Sequence, residues 1–540
     1  MLPRPLLGIF LFFQTLLAQA LTPLYDYYAN HGQNFGSNIN ELFQGQDVTQ
    51  IFSPTVNGFG NQPFTPPPTQ DPATLGCGMP PLGGCQNSKY RSYDGSCNNL
   101  RNPTWGTPQT PYSRLLPPIY GDGISQPTRA KSGRDLPSAR TVSLVFFPDV
   151  EIEDPKFTLA AMQYGQIITH DMSMIAGSTQ STPHQTQCCS SDGQLLQGPA
   201  PDAHCFPIVL PQNDPQTLKA NIRCMNFVRT ITDRDRNCVG GFQPAEQLTV
   251  VNHFLDLSIV YGNTDQVNQQ VREFQGGRLR VVQRQGKEWL PQNPNITGTC
   301  PAVQSFDEPC YLAGDARVNQ NPQLTVIQVI LLREHNRLAN ALAHLNPHWN
   351  DEMIFQEARR INMAQHQHIT YYEWLPIFLG IENSIKNRII YNHKGDFVND
   401  YNENVNPTVI NEHATAAFRF FHALIAGRLD LVTEHRDRFG NIRLSDWFNR
   451  PAIIEQGNNF DDLTRGLTTQ PEEKSNQFSD SEITQFLFRM LGRLFGQDLR
   501  AFDVQRNRDH GLASYNDFRE FCGLSRAHSF EGFLDVISSE

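Results

Sequence analysis

Two histidines far apart in the chain stand in settings suited to peroxide chemistry at a metal. His170 lies in Met-Gln-Tyr-Gly-Gln-Ile-Ile-Thr-His-Asp-Met-Ser and His422 in Ala-Ala-Phe-Arg-Phe-Phe-His-Ala-Leu-Ile. One imidazole can ligate iron while the other takes and returns a proton on the opposite side. Gln166 precedes His170 by four residues, so on a helix the two share a face, whereas Asp171 points about 100 degrees away. Cleaving a peroxide needs a base that moves a proton from the near oxygen to the far one. It also needs a fixed cation against the charge that develops, for which Arg317 in Gly-Asp-Ala-Arg-Val-Asn is the candidate. A Gln-x-x-x-His pair alone is usually an ordinary helix pair, so this reading rests on the whole set.

His422 sits among Phe418, Phe420 and Phe421, as an axial ligand in a dry pocket would. A ligating histidine commonly donates its other ring proton to a carboxylate, which fixes the tautomer. Asp503, in Phe-Asp-Val-Gln-Arg-Asn-Arg-Asp-His-Gly, is the expected partner, and Arg419 and Arg506 are candidates to meet haem propionates. Asn252, Phe254, Asp256 and Ser258 fall at every second residue. In an extended segment that spacing puts their oxygens on one side. With Asp171 they would make an oxygen-only shell suited to Ca²⁺, which would hold the histidine-bearing helix in place.

The elements that must position these residues read as mainly α, with few short strands. Asp154-Pro155 looks like the cap and first turn of a helix running to His170. Further helices are predicted over 324–345, 351–371, 412–425 and, started by Asp480-Ser481, 482–495. A chain of 540 residues has room for one large domain with a buried cofactor.

Arg4, the apolar stretch 6–17 and Ala18-Gln19-Ala20 read as a secretory signal over 1–20. Residues 21–76 read as a pro-segment or flexible arm, rich in Asn, Gln, Pro, Phe and Gly. The domain proper is expected over 77–540. Eleven cysteines suit an oxidising compartment, and an odd number leaves at least one without an intramolecular partner. Cys300 and Cys310 could close a short loop, but spacing does not fix the connectivity. Asn295-Ile296-Thr297 is a glycosylation sequon. A net charge of −11 argues against general nucleic-acid binding, and no later run is long and apolar enough to span a bilayer.

Assembled, these segments resemble the animal haem peroxidases of the myeloperoxidase and peroxidasin superfamily, with arthropod secreted members nearest in character. The resemblance spans 90–523. It rests on Asp94-Gly95-Ser96-Cys97-Asn98-Asn99, Gly165-Gln166 to His170-Asp171, Asp256 to Gly262, Arg333-Glu334-His335-Asn336-Arg337, His422, and Gln505-Arg506 to Asp509-His510-Gly511. It implies distal residues Gln166, His170 and Arg317, a proximal iron ligand His422, and calcium on Asp171, Asn252, Phe254, Asp256 and Ser258.

It also shows departures. Thr169 and Gln320 stand where mammalian members carry the carboxylates that form haem esters, so haem b without those links is expected. Asn321 replaces a methionine, and Asp503 an asparagine. A charged Asp503 should enrich His422 and lower the iron potential, favouring phenolic or other organic donors over chloride. Asn252 replaces a threonine. A C-terminal block usual in the family is expected to be missing, which would leave Cys522 without its partner.

The implied protein is a secreted peroxidase that uses hydrogen peroxide on phenolic or tyrosine-type donors, in extracellular cross-linking or oxidative defence near a matrix. The competing expectation is a haem-binding but catalytically silent structural or adhesive protein.

Overall fold

The computed structural model describes residues 84–175, 186–196, 203–305, 307–392 and 398–536; the expected signal and arm, at 1–76, lie outside them. Where Asp154-Pro155 was expected to start a helix, Glu153–Thr158 is a strand, β1, paired antiparallel with Pro471–Glu473, β2. Asp154 turns its carboxylate back on its own backbone, Oδ1 accepting from Lys156 N at 2.7 Å and Phe157 N at 3.1 Å. That local turn competes with helix, and Pro155 is tolerated in a two-stranded ribbon. Helix α1 therefore begins only at Leu159 and runs Leu159–Met172; Thr158 gives it no side-chain cap.

The longest helix, α2, is Pro322–Leu345. Asn321 caps it, Oδ1 accepting from Leu324 N at 2.9 Å, and Pro322 fills the first turn, where no backbone donor is needed. Asn350 starts α3, Asp351–His368, in the same way, with 2.9 Å to Met353 N. Leu338 and Ala339 of α2 then pack on Ile354 and Ala358 of α3. The helix expected to end at 371 instead continues through a π-helical turn, Ile369–Trp374. That turn swings Trp374 inward, where its Nε1 donates to Ala161 O of α1 at 2.8 Å.

The helix expected over 412–425 divides. Asn411–Thr415 is α-helical, Ala416 breaks it at φ −127° and ψ −67°, and Ala417–Leu424 winds as a 3-10 helix carrying His422. The helix expected over 482–495 is one short turn, Ser481–Thr484. Asp480 does cap it, 2.7 Å from Glu482 N, but left-handed Phe488 (φ 52°) and Gly492 (φ 78°) reverse the chain so that Leu487 pairs with Gln497. Helix α4, Leu499–Asp509, follows from its own cap Asp498.

Among the described residues, strands form only two-stranded ribbons, and the fold is mainly helical, as the patterning predicts. The central core gathers Leu324, Val326 and Val329 of α2 with Trp374, Phe378, Phe418, Phe420 and Phe421. Burying each large aromatic contributes roughly 2–3 kcal/mol before entropy is counted. Disulfides join Cys85–Cys97, Cys188–Cys205, Cys189–Cys224 and Cys300–Cys310. Cys238 is also disulfide-bonded, and Cys522 is buried. No helix of the described residues is long and apolar enough to cross a membrane.

Candidate active site

Helix α1 comes close to the His422 segment because of Gly165: a β-carbon there would lie 2.5 Å from Phe421 Cε1 and 3.0 Å from Trp374 Cζ2. One turn on, His170 is buried, and burial together with the positive charge of Arg317 holds its imidazole well below the usual histidine range. It is therefore neutral near pH 7, the form that can take a proton. Gln166 Nε2 stands 3.5 Å from His170 Nε2.

The amide of Gln166 is fixed by three others. Its Oε1 accepts from Gln163 Nε2 at 2.7 Å and Asn321 Nδ2 at 3.0 Å, while its Nε2 donates to Gln320 Oε1 at 3.1 Å. Two acceptances on the oxygen decide the orientation, which turns the NH₂ toward His170. Gln320, one of the two positions that the resemblance singled out for lacking ester chemistry, and Asn321, which stands where a methionine was expected, are thus members of this hydrogen-bonded cluster. Gln163 was not anticipated; its position one helical turn before Gln166 was the available signal.

Arg317 is brought to α1 as a clamp on its C-terminal end. Nη2 donates to His170 O at 2.8 Å and Nη1 to Ser173 O at 3.1 Å. Nε and Nη2 meet Asp315 Oδ1 and Oδ2 at 2.9 and 2.7 Å. A cation against the last carbonyls of a helix is favourable. Asp315, a partner the sequence reading missed, makes the clamp bidentate.

On the other side His422 Nδ1 lies 2.7 Å from Asp503 Oδ2, joining the 3-10 helix to α4 as expected. Burial works against charge on Asp503, yet His422, Arg419 and Arg500 outweigh it and hold the carboxyl below its ordinary range. Burial also lowers His422 despite Asp503, so the pair is a carboxylate accepting from a neutral imidazole, which leaves Nε2 as the nitrogen for a metal. Phe418 stacks on Phe421 at 4.6 Å and Trp374 on Phe421 at 5.6 Å, making the dry wall.

Arg419 gives Nη1 to Asp503 Oδ1 at 3.1 Å and Nε to Ala414 O at 3.2 Å. Arg506 gives Nη1 to Val228 O at 3.0 Å and Thr230 Oγ1 at 2.8 Å and lies over Phe227, while burial brings it down to about 10. Arg419 thus stands beside the His422 pair, whereas Arg506 has its Nη1 committed elsewhere.

The five oxygen-bearing residues converge, but not on a strand. Residues 252–257 form bends closed by left-handed Leu257 (φ 57°), and Ser258 opens a helical turn, Ser258–Tyr261. The extended geometry is lost because side chains grip the backbone: Asn252 Oδ1 accepts from Phe254 N at 3.0 Å and Asp256 Oδ1 from Ser258 N at 3.1 Å. Asp171 of α1 closes the group, accepting from Leu257 N at 2.9 Å and Ser258 Oγ at 3.1 Å. Asn252 Nδ2 donates to Asp256 Oδ2 at 3.0 Å. Burial first, then the nearby Asp171, push Asp256 up to about 7. Two buried acids this close fit a divalent cation with oxygen ligands. His366 Nε2 stands 3.5 Å from Asp171 Oδ2, a neighbour the sequence reading did not include.

Comparison with known proteins follows this geometry. The animal haem peroxidase family profile matches residues 90–540. A Drosophila melanogaster protein named Peroxidase is 58% identical over 465 residues, covering 86% of this chain and 67% of its own. The Drosophila melanogaster Chorion peroxidase is 38% identical, covering 87% of this chain and 58% of its own. A Mus musculus Peroxidasin homolog is 36% identical over 84% of this chain and 31% of its own, so the chain spans about two thirds of these relatives' length or less. Among solved structures, Peroxidase A from Dictyostelium discoideum superposes with a TM-score of 0.66 at 27% identity, over 82% of this chain and 80% of that one. An Oryza sativa fatty acid alpha-dioxygenase, at TM-score 0.61 and 18% identity over 83% and 71%, shares the fold.

Proposed function

The chain belongs to the animal haem peroxidase family, a family of oxidoreductases, and from that premise we propose that it is a secreted enzyme oxidising phenolic or tyrosine-type donors with hydrogen peroxide. The observation that carries this reading is the pairing of His422 with Asp503 at 2.7 Å on one side and a buried, neutral His170 with Gln166 at 3.5 Å on the other. The chemistry that haem b supplies when bound is reduction of peroxide at iron and one-electron oxidation of donors. His422 would hold the iron through Nε2, and Asp503 keeps the imidazole oriented through Nδ1. His170 accepts a proton from one peroxide oxygen and returns it to the other. Gln166 orients the peroxide, and Arg317 fixes the end of α1 beside it. Each peroxide and two phenolic O–H groups give two waters and two phenoxyl radicals, whose coupling would cross-link a matrix.

Because Gln320 is an amide hydrogen-bonded to Gln166, and Thr169 carries a hydroxyl, the haem is held without ester links at these positions. Asp171, Asn252, Phe254, Asp256 and Ser258 hold calcium. Secretion is supported by the Arg4-to-Ala20 pattern, by the disulfides of the described residues and by the exposed Asn295 of the sequon.

The test is the absorption spectrum and haem-to-protein ratio of the purified chain before and after peroxide, with turnover of a phenol. One haem per chain and phenol oxidation are expected. His170→Ala should keep haem and lose at least about a hundredfold in turnover. A wild-type chain that holds haem yet stays silent would overturn the enzyme in favour of a haem-binding extracellular protein.

A further inference from the structure

A further cavity lies elsewhere. It is a cleft of about 980 Å³ against the calcium loop, lined by none of the residues that flank His170 or His422. That volume is at the upper end of small-molecule sites, roughly 300–1,000 Å³. One wall is Ser96-Cys97-Asn98-Asn99, the second part of the run that begins at Asp94. Cys85–Cys97 ties it, and Asp94 Oδ1 accepts from Ser96 N at 2.9 Å. Gly95, at φ 78°, lies so close on the Phe254 ring that a β-carbon would stand 2.6 Å from it. Arg359 grips the preceding backbone, Nη1 to Arg91 O at 2.8 Å and Nη2 to Ser92 O at 3.1 Å. The cleft is therefore built by the fold itself.

Inside it Arg91 is unusual. Its guanidinium lies 4.9 Å over the Phe254 ring, and its Nε is buried with no hydrogen-bond partner among the described residues. The other cations at the cleft have acids: Lys89 has Glu357, and Arg272 has Asp351 at 2.7 Å. Of the lining acids, Glu403 is taken by Arg101 at 2.9 Å and Glu352 by Arg272, which leaves Asp265 at the rim. The acids behind Arg91 are Asp256 and Asp171, the two assigned above to calcium. Asn98 Nδ2 is a second buried donor without a partner among the described residues. A buried N–H left unbonded is costly, so two at one cleft favour a ligand rich in acceptors. The mouth carries exposed aromatic faces, Tyr401 at 71% and Phe274 at 53% exposure, and Gln269 also lines the cleft.

We propose that this cleft is a second binding site, for an acidic carbohydrate chain of the uronate or sulfated class. Its anionic group sits on Arg91, its hydroxyls meet the Asn98 and Gln269 amides, and its sugar faces lie on Tyr401 and Phe274. Such a site would hold the secreted enzyme on a polysaccharide matrix while leaving the haem side open. It builds on the extracellular reading but not on catalysis.

Calorimetric titration of the haem- and calcium-loaded full chain with a sulfated, uronate-containing hexasaccharide tests it. Saturable binding is expected, weakened about tenfold or more by Arg91→Met, which keeps the apolar stem over Phe254. Tyr401→Ala should weaken binding several-fold and leave phenol turnover unchanged. A desulfated, carboxyl-reduced hexasaccharide should not bind. The proposal is overturned if the wild type does not bind, if charged and neutral sugars bind alike, or if both variants bind as the wild type does. It is also overturned if an acidic peptide, and not the sugar, binds in an Arg91-dependent way. Binding is read without peroxide, so its failure is distinguishable from failure of the enzymatic reading.

Discussion

At Asp503 a single carboxylate changes what His422 can do. It accepts the Nδ1 proton at 2.7 Å and is itself flanked by Arg419 at 3.1 Å, so its charge is held in place beside the proximal imidazole. Asp503→Asn keeps a hydrogen-bond acceptor and removes the charge. The iron reduction potential, measured by spectroelectrochemistry, should rise, with phenol turnover falling severalfold; an unchanged potential would show that Asp503 does not tune the iron. His170, Gln166, His422 and Asp503 were legible in the sequence because their chemistry resides in their side-chain types. Asp315 and Gln163 were not, because an arginine's anchor and an amide's orientation are set by neighbours that only folding supplies. The same holds for His335 and His510. Both lie in motifs that carry the family resemblance, yet His335 is spent between Gly277 O and Tyr261 OH, at 2.9 Å each, and His510 between Asn411 and Thr230, at 2.7 Å each.

Helix α1 is set by what presses on it and what ends it. Gly165→Val would drive a branched side chain into Phe421 and Trp374. A loss of about 1–3 kcal/mol is expected, read as a lower unfolding midpoint and weaker haem retention. At the other end of α1, Glu472 of β2 lies buried near Asp154; burial and then Asp154 push it up to about 9, against the opposing pull of the Met162 backbone N–H. Its folded pKa exceeds the unfolded one, so the folded chain keeps a proton that the unfolded chain releases from about pH 4.5 to about 9. Stability from this group is present below that window and declines as pH rises through it, by at most about 1.4 kcal/mol per pH unit. Glu472→Gln should flatten the decline, and denaturant midpoints at pH 6 and 8.5 would show it. Neither β1 nor this acid could be foreseen from Asp154-Pro155, which reads equally well as a helix cap when its strand partner, far along the chain at Pro471–Glu473, is unknown.

For the whole molecule, the proposed calcium group links α1 to the loop 252–258 and, through Phe254, to the turn at Gly95. Removing the ion by chelation should leave Asp171 and Asp256 facing each other unneutralised. A fall of several degrees in the thermal midpoint and slower peroxide reaction are expected, both restored by Ca²⁺ and not by a monovalent ion. An unchanged midpoint after complete chelation would remove calcium from the account. The disulfides act on the same scale, and their pairing shows the limit of spacing: adjacent Cys188 and Cys189 go to different partners, Cys205 and Cys224.

By itself the sequence determined the chemistry on offer: two histidines, an amide and an arginine for peroxide, oxygen ligands for calcium, cysteines for an oxidising compartment, and periodicity for a mainly helical chain. Those properties belong to residue types and local spacing, which do not wait for folding. Tertiary structure decided where long helices break, at Ala416 and after Thr484, because pairings and left-handed turns far from the local pattern outweigh small helix propensities. It also decided which amides lock Gln166 and which acid holds Arg317, and among the described residues it left Arg91 without a salt-bridged acid of its own. Each of these depends on distances between segments that the chain brings together only when its apolar core is buried.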